Sequence, residues 1–266
     1  MNELVTLDVS DGIADVRLNR PDKHNSLTLD MFRAIAAAGE SLADPAIRVA
    51  VLSGNGPSFC AGLDFSIMRA ILDGGDKAAG ITAALIDGDS APENLAQRAS
   101  YVWKTARVPV IAAICGVAYG GGCQIALGCD IRYASPDAKL SVMEMRYGLS
   151  PDMAITQTLP DLVAIDVAKE LILTGRIVEA AEAAALGLVT RVVDDPLETA
   201  FETARAIARR SPDAVKAAKQ LLNEAWRAEA DTGLALEETL QRRLLGSRNQ
   251  REAVLAEMEK REPLFY

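Results

Sequence analysis

Gly116-Val-Ala-Tyr-Gly-Gly-Gly-Cys-Gln124 joins an apolar run at residues 109–115 to a run of helical composition at residues 123–129. The apolar run is typical of a buried strand, so this part of the chain predicts a strand, a glycine-rich turn and a helix. Glycines let a ligand approach the backbone closely, and N–H groups at the start of a helix carry partial positive charge. Free N–H groups in the turn could therefore hold an anionic oxygen.

Five segments before this turn have the periodicity of strands or helices. Ser10-Asp11-Gly12 separates the first two and predicts a β-hairpin, and Thr28 is a suitable N-cap for the helix that follows. The repeated order of strands followed by a helix indicates an α/β fold with layered sheets. The predicted strands are 4–9, 13–19 and 48–53, and the predicted helices are 28–43 and 94–106.

Residues 65–93 give conflicting signals. Met68 and Ile71 are apolar, but Gly74 and Gly75 would break any single helix across the segment. We interpret the segment as a mobile element over a pocket. A poorly ordered surface loop is the alternative that the sequence leaves open.

The composition changes at residue 196 to Ala, Glu, Lys, Arg and Leu at helical spacing. We therefore divide the chain into an α/β core at 1–195 and a helical region at 196–266. These helices can pack on their own core or on a neighbouring subunit, and the sequence leaves both arrangements open. The predicted helices of this region are 198–210, 211–227, 234–245 and 250–260.

The balance of charge limits the partners of the protein. The 266 residues include 37 acidic and 28 basic side chains, which gives a net charge of -9. This charge repels nucleic acid backbones and anionic lipid surfaces, so we expect neither nucleic acid nor membrane as a partner. The N-terminal residues lack a signal-peptide pattern, and no apolar run approaches the ~20 residues of a membrane span. We expect a cytoplasmic protein.

The sequence has few residues suited to nucleophilic or metal chemistry. Its four cysteines lie in apolar settings without a C-x-x-C pair, so we interpret them as reduced core residues. His24 is the one histidine, although Ser-His-Asp, Cys-His and multi-histidine metal sites all need histidine. Carboxylates and backbone groups remain as candidates, and no metal site is predicted. The cysteines are Cys60, Cys115, Cys123 and Cys129.

A second glycine-containing turn, at residues 53–64, follows the strand predicted at 48–53. If its N–H groups and those of residues 116–124 converge on one carbonyl oxygen, they form an oxyanion hole, which stabilises a developing enolate. Two alternatives are that the glycines serve packing alone, or that the turn binds a dinucleotide. The G-x-G-x-x-G spacing of a dinucleotide site is absent, so we set that interpretation aside.

Residues 59–64, 116–132 and 174–189 resemble, in order, the signature segments of the crotonase (enoyl-CoA hydratase/isomerase) superfamily. Residues 19–27 and 260–265 resemble its opening and closing segments, so the likeness covers nearly the whole chain. The resemblance implies a crotonase-like spiral of ββα repeats and a C-terminal helical part that mediates trimers, often paired into hexamers. It also implies coenzyme A (CoA) thioesters as substrates, with no cofactor besides the CoA of the substrate.

The resemblance also assigns roles to individual positions. The oxyanion donors of the family map onto the backbone N–H groups of Ala61 and Gly121. Lys23 would place near the CoA phosphates a positive charge that the chain as a whole lacks, although a solvated loop lysine is the alternative. The positions that correspond to contacts with the acyl-CoA are Lys23, Ala61, Gly62, Leu63, Asp64 and Gly120.

Side chains near the oxyanion hole select among the reactions of the family. Family hydratases carry two glutamates, at the positions of Gln124 and Glu144. An amide has no proton to exchange near neutral pH, so Gln124 can orient a group but cannot act as a general acid or base. Apolar neighbours would raise the pKa of Glu144, which makes it the candidate base. Asp152 stands where the dienoyl-CoA isomerases of the family have a catalytic aspartate, with a helix N-cap as its alternative role.

We therefore expect Glu144, Asp152 and Gln124 to form the catalytic site of an enzyme that shifts a double bond in an enoyl-CoA or dienoyl-CoA. Hydration of a 2-enoyl-CoA is the alternative reaction. A second alternative is a non-catalytic subunit that binds acyl-CoA, because an acid is missing at Gln124. The resemblance implies a homotrimer or a dimer of trimers.

Overall fold

The computed structural model describes residues 4–87 and 92–265, and the strands of these residues form a larger and a smaller sheet. The strands are β1 (Val5–Ser10), β2 (Ile13–Leu18), β3 (Val49–Gly54), β4 (Val110–Ile114), β5 (Val117–Tyr119), β6 (Ile131–Ala134), β7 (Lys139–Ser141), β8 (Val178–Glu179) and β9 (Arg191–Val192). The larger sheet has the order β1-β2-β3-β4-β6-β9, and the smaller sheet has the order β5-β7-β8.

The strand pairing confirms the predicted hairpin and the predicted spiral. β1 and β2 pair antiparallel, whereas β2–β3, β3–β4 and β4–β6 are parallel pairs. β5 follows β4 in the chain and pairs with β7, which follows β6. The chain therefore passes repeatedly from one sheet to the other, as in a crotonase-like fold.

Helices connect and cover these strands. The Thr28 hydroxyl accepts a hydrogen bond from the Met31 N–H (3.3 Å), which confirms the predicted N-cap of the first helix. Short 3-10 helices lie at Pro21–Lys23, Glu144–Tyr147 and Leu159–Asp161. The described α-helices are α1 (Leu29–Ser41), α2 (Phe65–Asp73), α3 (Gly75–Ile86), α4 (Leu95–Thr105), α5 (Gly121–Leu127), α6 (Ile155–Thr158), α7 (Ile165–Thr174), α8 (Ala180–Leu186), α9 (Pro196–Ala208), α10 (Pro212–Ala225), α11 (Ala230–Leu244) and α12 (Arg248–Glu259).

The central strands of the larger sheet are buried on both faces, which explains their uninterrupted apolar runs. Along β3, Ala50 and Leu52 pack in the main hydrophobic core, whereas Val49 and Val51 pack in a second core against α9. Successive side chains of a strand point to opposite faces, so one short run contributes to both cores.

The alternative of a poorly ordered surface loop is wrong for residues 65–87, most of which form α2 and α3, whereas the mobility of this segment stays a prediction. The Asp64 carboxylate caps α2 by accepting from the Ser66 N–H (2.9 Å). Gly74 and Gly75 both have a φ of 73°, so the pair turns the chain between two helices instead of interrupting one. Residues 88–91 of the predicted segment lie outside the described residues.

The helical region after residue 195 begins by packing on the sheet. α9 covers the second core, and Lys219 of α10 is 7% exposed and donates to the carbonyl oxygens of Trp103 (3.0 Å) and Val108 (2.9 Å). Of the two arrangements that the sequence leaves open, α9 and α10 therefore pack on their own core. Within residues 4–87 and 92–265, no helix is long and apolar enough to cross a membrane.

Candidate active site

A cavity of about 300 Å³ opens between the glycine turns, the 3-10 helix Glu144–Tyr147 and the helices α1 to α4. Most of its wall is apolar, and its acidic side chains are Glu144 and Asp152. α2 and α3 contribute one wall, so the predicted position of their segment over a pocket is correct. The residues that line the cavity include Leu27, Phe32, Ala61, Gly62, Leu63, Met68, Ile71, Ile81, Thr82, Leu85, Ala96, Gly120, Gly121, Met143, Glu144, Tyr147, Asp152 and Met153.

The two glycine-containing turns of the sequence lie in contact beside this cavity. Cys60 and Ala118 form a parallel β-bridge between them. Gly62 has a φ of 85°, and a Cβ added there would stand 2.6 Å from the Tyr119 carbonyl oxygen. A Cβ added at Gly122 would stand 2.3 Å from the Cys60 carbonyl oxygen. Both distances are shorter than a carbon–oxygen contact allows, so this approach of the two turns requires glycine at both positions.

The backbone N–H of Ala61 is not available as an oxyanion donor, which corrects the prediction for this residue. It donates to the His24 carbonyl oxygen (2.9 Å). Leu63 forms a parallel β-bridge with Leu27 through its two neighbours. The Leu27 N–H donates to the Gly62 carbonyl oxygen (2.8 Å), and the Leu27 carbonyl oxygen accepts from the Asp64 N–H (3.0 Å). In such a bridge the N–H of Leu63, which lies between Gly62 and Asp64, points away from Leu27. The Leu63 N–H accordingly has no acceptor in the described part of the chain.

The Gly121 N–H is available, as predicted from the glycine-rich turn. α5 begins at Gly121, two residues before the helix predicted at 123–129, because Gly120 turns the chain with a φ of 51°. The first N–H groups of a helix have no partner inside it, and that of Gly121 has no acceptor among the described residues. A Cβ added at Gly62 would stand 3.7 Å from the Gly121 nitrogen, so this donor lies close to the turn that carries Leu63.

The Glu144 carboxyl lies beside the same turn. A Cβ added at Gly120 would stand 3.4 Å from Glu144 Oε1. Glu144 Oε1 accepts from Gln124 Nε2 (2.6 Å), whereas Oε2 is buried and has no hydrogen-bond partner among the described residues. Burial raises the pKa of Glu144, and the negative charge of Asp152 adds to the effect. A carboxyl with raised proton affinity therefore lines the cavity, and one of its oxygens has no partner among the described residues.

Gln124 does not lie on the cavity wall, although we predicted it in the catalytic site. Its side chain is fully buried and is engaged at both ends of the amide. Nε2 donates to Glu144, and Oε1 accepts from the Met153 N–H (2.9 Å). Because the Met153 N–H can only donate, the amide orientation is determined, and Gln124 positions Glu144 instead of facing a ligand.

Asp152 lies on the cavity wall with part of its surface in solvent. The alternative role as a helix cap is wrong, because the next helix, α6, begins at Ile155 and has Ala154 at its N-cap position without a side-chain cap. Burial raises the pKa of Asp152. The structure thus brings two carboxyls, Glu144 and Asp152, to one cavity.

The remaining predicted contacts divide into two groups. Gly62, Leu63 and Gly120 line the cavity, whereas Lys23 and Asp64 are not among its lining residues. Asp64 Oδ2 instead accepts from Arg20 (3.1 Å) and Ser26 (2.8 Å), which fastens the segment before α1 to the turn before α2. Lys23 is exposed in that same fastened segment, so its ammonium group is free to contact a ligand at the surface.

Comparison with known proteins agrees with this geometry over the length of the chain. The sequence model described as enoyl-CoA hydratase/isomerase matches residues 8–266. The chain belongs to the enoyl-CoA hydratase/isomerase family. An enoyl-CoA hydratase from Bacillus anthracis has a similar structure, with a TM-score of 0.87 and 30% identity over 98% of both chains.

Two relatives within the family indicate how its members differ. The short-chain-enoyl-CoA hydratase of Clostridium acetobutylicum is 35% identical over 97% of this chain and 95% of its own length. The mitochondrial methylglutaconyl-CoA hydratase of Rattus norvegicus is 31% identical over 96% of this chain and 79% of its own length. This family member is therefore an enzyme related to hydratases that are named for different acyl groups.

Proposed function

We propose that this protein shifts a carbon–carbon double bond in an enoyl-CoA or dienoyl-CoA thioester. One observation carries the proposal: Glu144, whose Oε2 has no partner in the described part of the chain, lines the same cavity as Leu63 and Gly121, whose N–H groups have no acceptor there. A carboxyl beside two such donors can remove and return protons next to a thioester carbonyl, while the donors hold the charge of the enolate.

The proton shift needs one carboxyl oxygen. With the thioester oxygen held by the Leu63 and Gly121 N–H groups, the Glu144 carboxylate takes a proton from C2 of a 3-enoyl-CoA. The electron pair of that C–H bond enters a dienolate, whose negative charge rests on the thioester oxygen. Glu144 then returns the proton to C4, which leaves the double bond between C2 and C3. The raised pKa of Glu144 suits a group that must both accept and give a proton near neutral pH.

The contact between Gln124 and Glu144 favours a proton shift over hydration. The two side chains are joined by a hydrogen bond of 2.6 Å, whereas a water molecule bonded to both would hold them roughly 4 to 5 Å apart. Gln124 also cannot take a proton from water. A water nucleophile held between the two side chains is therefore disfavoured here.

Asp152 extends the proposal to dienoyl substrates. In a 3,5-dienoyl-CoA the proton must return further along the chain than C4, and a second carboxyl on the same cavity wall is suited to deliver it. Asp152 is close enough to Glu144 for its charge to raise the Glu144 pKa. Substitution of Asp152 by Asn should therefore impair dienoyl isomerisation while leaving 3-enoyl isomerisation largely intact.

Hydration of a 2-enoyl-CoA is the second candidate, because several relatives are named as hydratases. Incubating the purified protein separately with 3-enoyl-CoA, 3,5-dienoyl-CoA and crotonyl-CoA distinguishes the reactions by their products. We expect conversion of the first or second substrate. Hydration of crotonyl-CoA with no isomerisation would contradict the proposal, and CoA binding without turnover of any thioester would support a non-catalytic subunit.

The matched variant Glu144→Gln tests the role of the base. It keeps the size of the side chain and removes the titratable group, so turnover should fall by at least about 100-fold while binding of CoA persists. Activity close to that of the unmodified protein would remove Glu144 from the mechanism.

We further propose that Lys23 contacts the CoA phosphates and that the protein is a homotrimer or a dimer of trimers. Large apolar side chains are exposed in the C-terminal region, among them Trp226 (69%) directly after α10 and Leu234 (61%) on α11, and contact with further copies would bury them. Light scattering should give a mass three or six times that of the 28.3 kDa chain, and a monomeric mass would contradict the assembly.

A further inference from the structure

Away from Glu144 and Asp152 the wall of the cavity is hydrocarbon, and it extends into the interior of the protein. Phe32, Ile81, Leu85 and Ala96 line this part and are 3%, 6%, 8% and 4% exposed. They belong to α1, α3 and α4, and α3 packs against both α1 and α4. These side chains therefore form a deep compartment and not a rim at the cavity mouth.

Positive charge is absent from the lining of this compartment. None of the described lining residues is Lys, Arg or His, and residues 88–91, which follow α3 in the sequence, contain none either. Thr82 has a hydroxyl near the compartment, but that group already donates to the Ala78 carbonyl oxygen (3.0 Å). A carboxylate at the end of an acyl chain would lose its water here without gaining a partner, and the two cavity acids would repel it.

The volume of the cavity sets the size of the acyl group. Water takes ~30 Å³ in the liquid, and a methylene group is of similar size. The 300 Å³ of the cavity include the space beside Glu144 and the glycine turns, so they correspond to on the order of ten such groups for the acyl part of the ligand as a whole. A four-carbon acyl group would leave most of the apolar wall without contact.

We propose that the acyl group of the substrate has about eight to ten carbons in all and ends in an uncharged hydrocarbon tail, seated between α1, α2, α3 and α4. The inference rests on the proposed function in one respect, that the ligand is an acyl-CoA thioester. It differs from what the names of two relatives indicate, since one is named for short chains and the other for an acyl group with a free carboxylate.

Binding of saturated acyl-CoAs to the purified protein tests the tail without any chemistry. Calorimetric titration with butyryl-CoA, decanoyl-CoA and a ten-carbon acyl-CoA that ends in a carboxylate should give decanoyl-CoA the lowest Kd, by about tenfold or more over each of the others. Equal affinity for butyryl-CoA and decanoyl-CoA, or for the carboxylated and plain ten-carbon chains, would overturn the inference. Tight decanoyl-CoA binding without isomerase activity would contradict the proposed function alone.

A matched pair of variants locates the tail. Thr82 lines the cavity and is exposed at its edge, whereas the next residue, Ala83, is exposed on α3 but does not line the cavity. Thr82→Arg should lower the preference for decanoyl-CoA over the carboxylated chain by about tenfold, because it adds a partner for the carboxylate. Ala83→Arg adds the same charge and should leave the preference unchanged. An equal response of the two variants, or none in either, would overturn the placement of the tail.

Discussion

The backbone donors of the active site depend on single residues whose side chains would spoil the geometry. Gly62 combines a positive φ with a close approach to the Tyr119 carbonyl oxygen. It separates Ala61, whose N–H is engaged by His24, from Leu63, whose N–H is free. The position of the oxyanion hole is therefore set residue by residue along this turn.

Gly62→Ala should lower kcat by about 100-fold or more, because the added Cβ must push apart the two turns that carry the donors. Steady-state kinetics with a 3-enoyl-CoA measures the effect. Gly246→Ala is the matched control, since Gly246 also has a positive φ (75°) but meets only the end of an arginine side chain at 3.9 Å, between α11 and α12. Equal losses in both variants would point to general backbone strain instead of a displaced donor.

Gln124 should control the pH dependence of activity through the pKa of Glu144. Burial raises that pKa, and the hydrogen bond from Gln124 lowers it again by stabilising the carboxylate. In Gln124→Leu the pKa should therefore rise further, so the acid limb of the kcat/KM profile should move to higher pH by about one unit. Ser100→Ala is the control, because the Ser100 hydroxyl donates to the backbone carbonyl oxygen of Gln124 and does not contact the Gln124 amide or Glu144. An unmoved limb in Gln124→Leu would show that Gln124 has no such positioning role.

At the scale of elements, the turn that carries Leu63 depends on how the segment before α1 is fastened to α2. The Asp64 carboxylate caps α2 and accepts from Ser26 and Arg20 of that segment. The Leu27–Leu63 bridge is directly adjacent to the contact between Ser26 and Asp64. One side chain thus stabilises both a helix terminus and the bridge that orients the Leu63 N–H.

Asp64→Ala should lower the free energy of unfolding at pH 7 by about 2 kcal/mol, through loss of the cap and of the ion pair. Asp73→Ala, at the exposed end of the same helix, should cost less than about 0.5 kcal/mol.

Burial opposes the charge of Asp64, but the hydrogen bonds from Ser66, Ser26 and Arg20 hold its pKa below the ordinary value. Its contribution is therefore complete above about pH 4 and is lost as the pH falls further. Urea unfolding should show that the difference from the unmodified protein shrinks in acid, and a constant difference would contradict this account.

At the scale of the whole molecule, the helical region is attached to the α/β core by polar as well as apolar contacts. Lys219 donates to Trp103, Val108 and Asp130, all of which precede the helical region in the sequence. Since α9 also completes the second core, the region from residue 196 onward should unfold together with the sheet and not before it.

Lys219→Met should destabilise the protein by about 2 to 3 kcal/mol, because three acceptors lose their donor at a site closed to most water. Lys216→Met, one turn earlier on α10, should stay within about 0.5 kcal/mol of the unmodified protein. Thermal unfolding followed by circular dichroism measures both. If Lys219→Met instead produced two separate transitions, the helical region would be a unit independent of the core.

The local features of this protein follow from its amino-acid order. Alternation around Ser10-Asp11-Gly12 predicts the hairpin, Thr28 predicts the start of α1, and helical spacing predicts the four C-terminal helices. These features depend on neighbours a few residues apart, so short-range periodicity and capping are enough to find them. The family and the position of Glu144 are likewise evident from motifs.

The direction in which groups point depends on partners that are distant in the sequence. The pairing with His24 and Leu27 removes the Ala61 N–H from the site and frees that of Leu63, and the Met153 N–H turns the Gln124 amide away from the cavity. The local sequence at 65–87 fits either a loop or two helices, and contacts of α3 with α1 and α4 favour the helices. Hydrogen bonds between remote segments select one of several locally acceptable conformations. Because these bonds form only in the folded chain, the sequence around each residue does not reveal which conformation is selected.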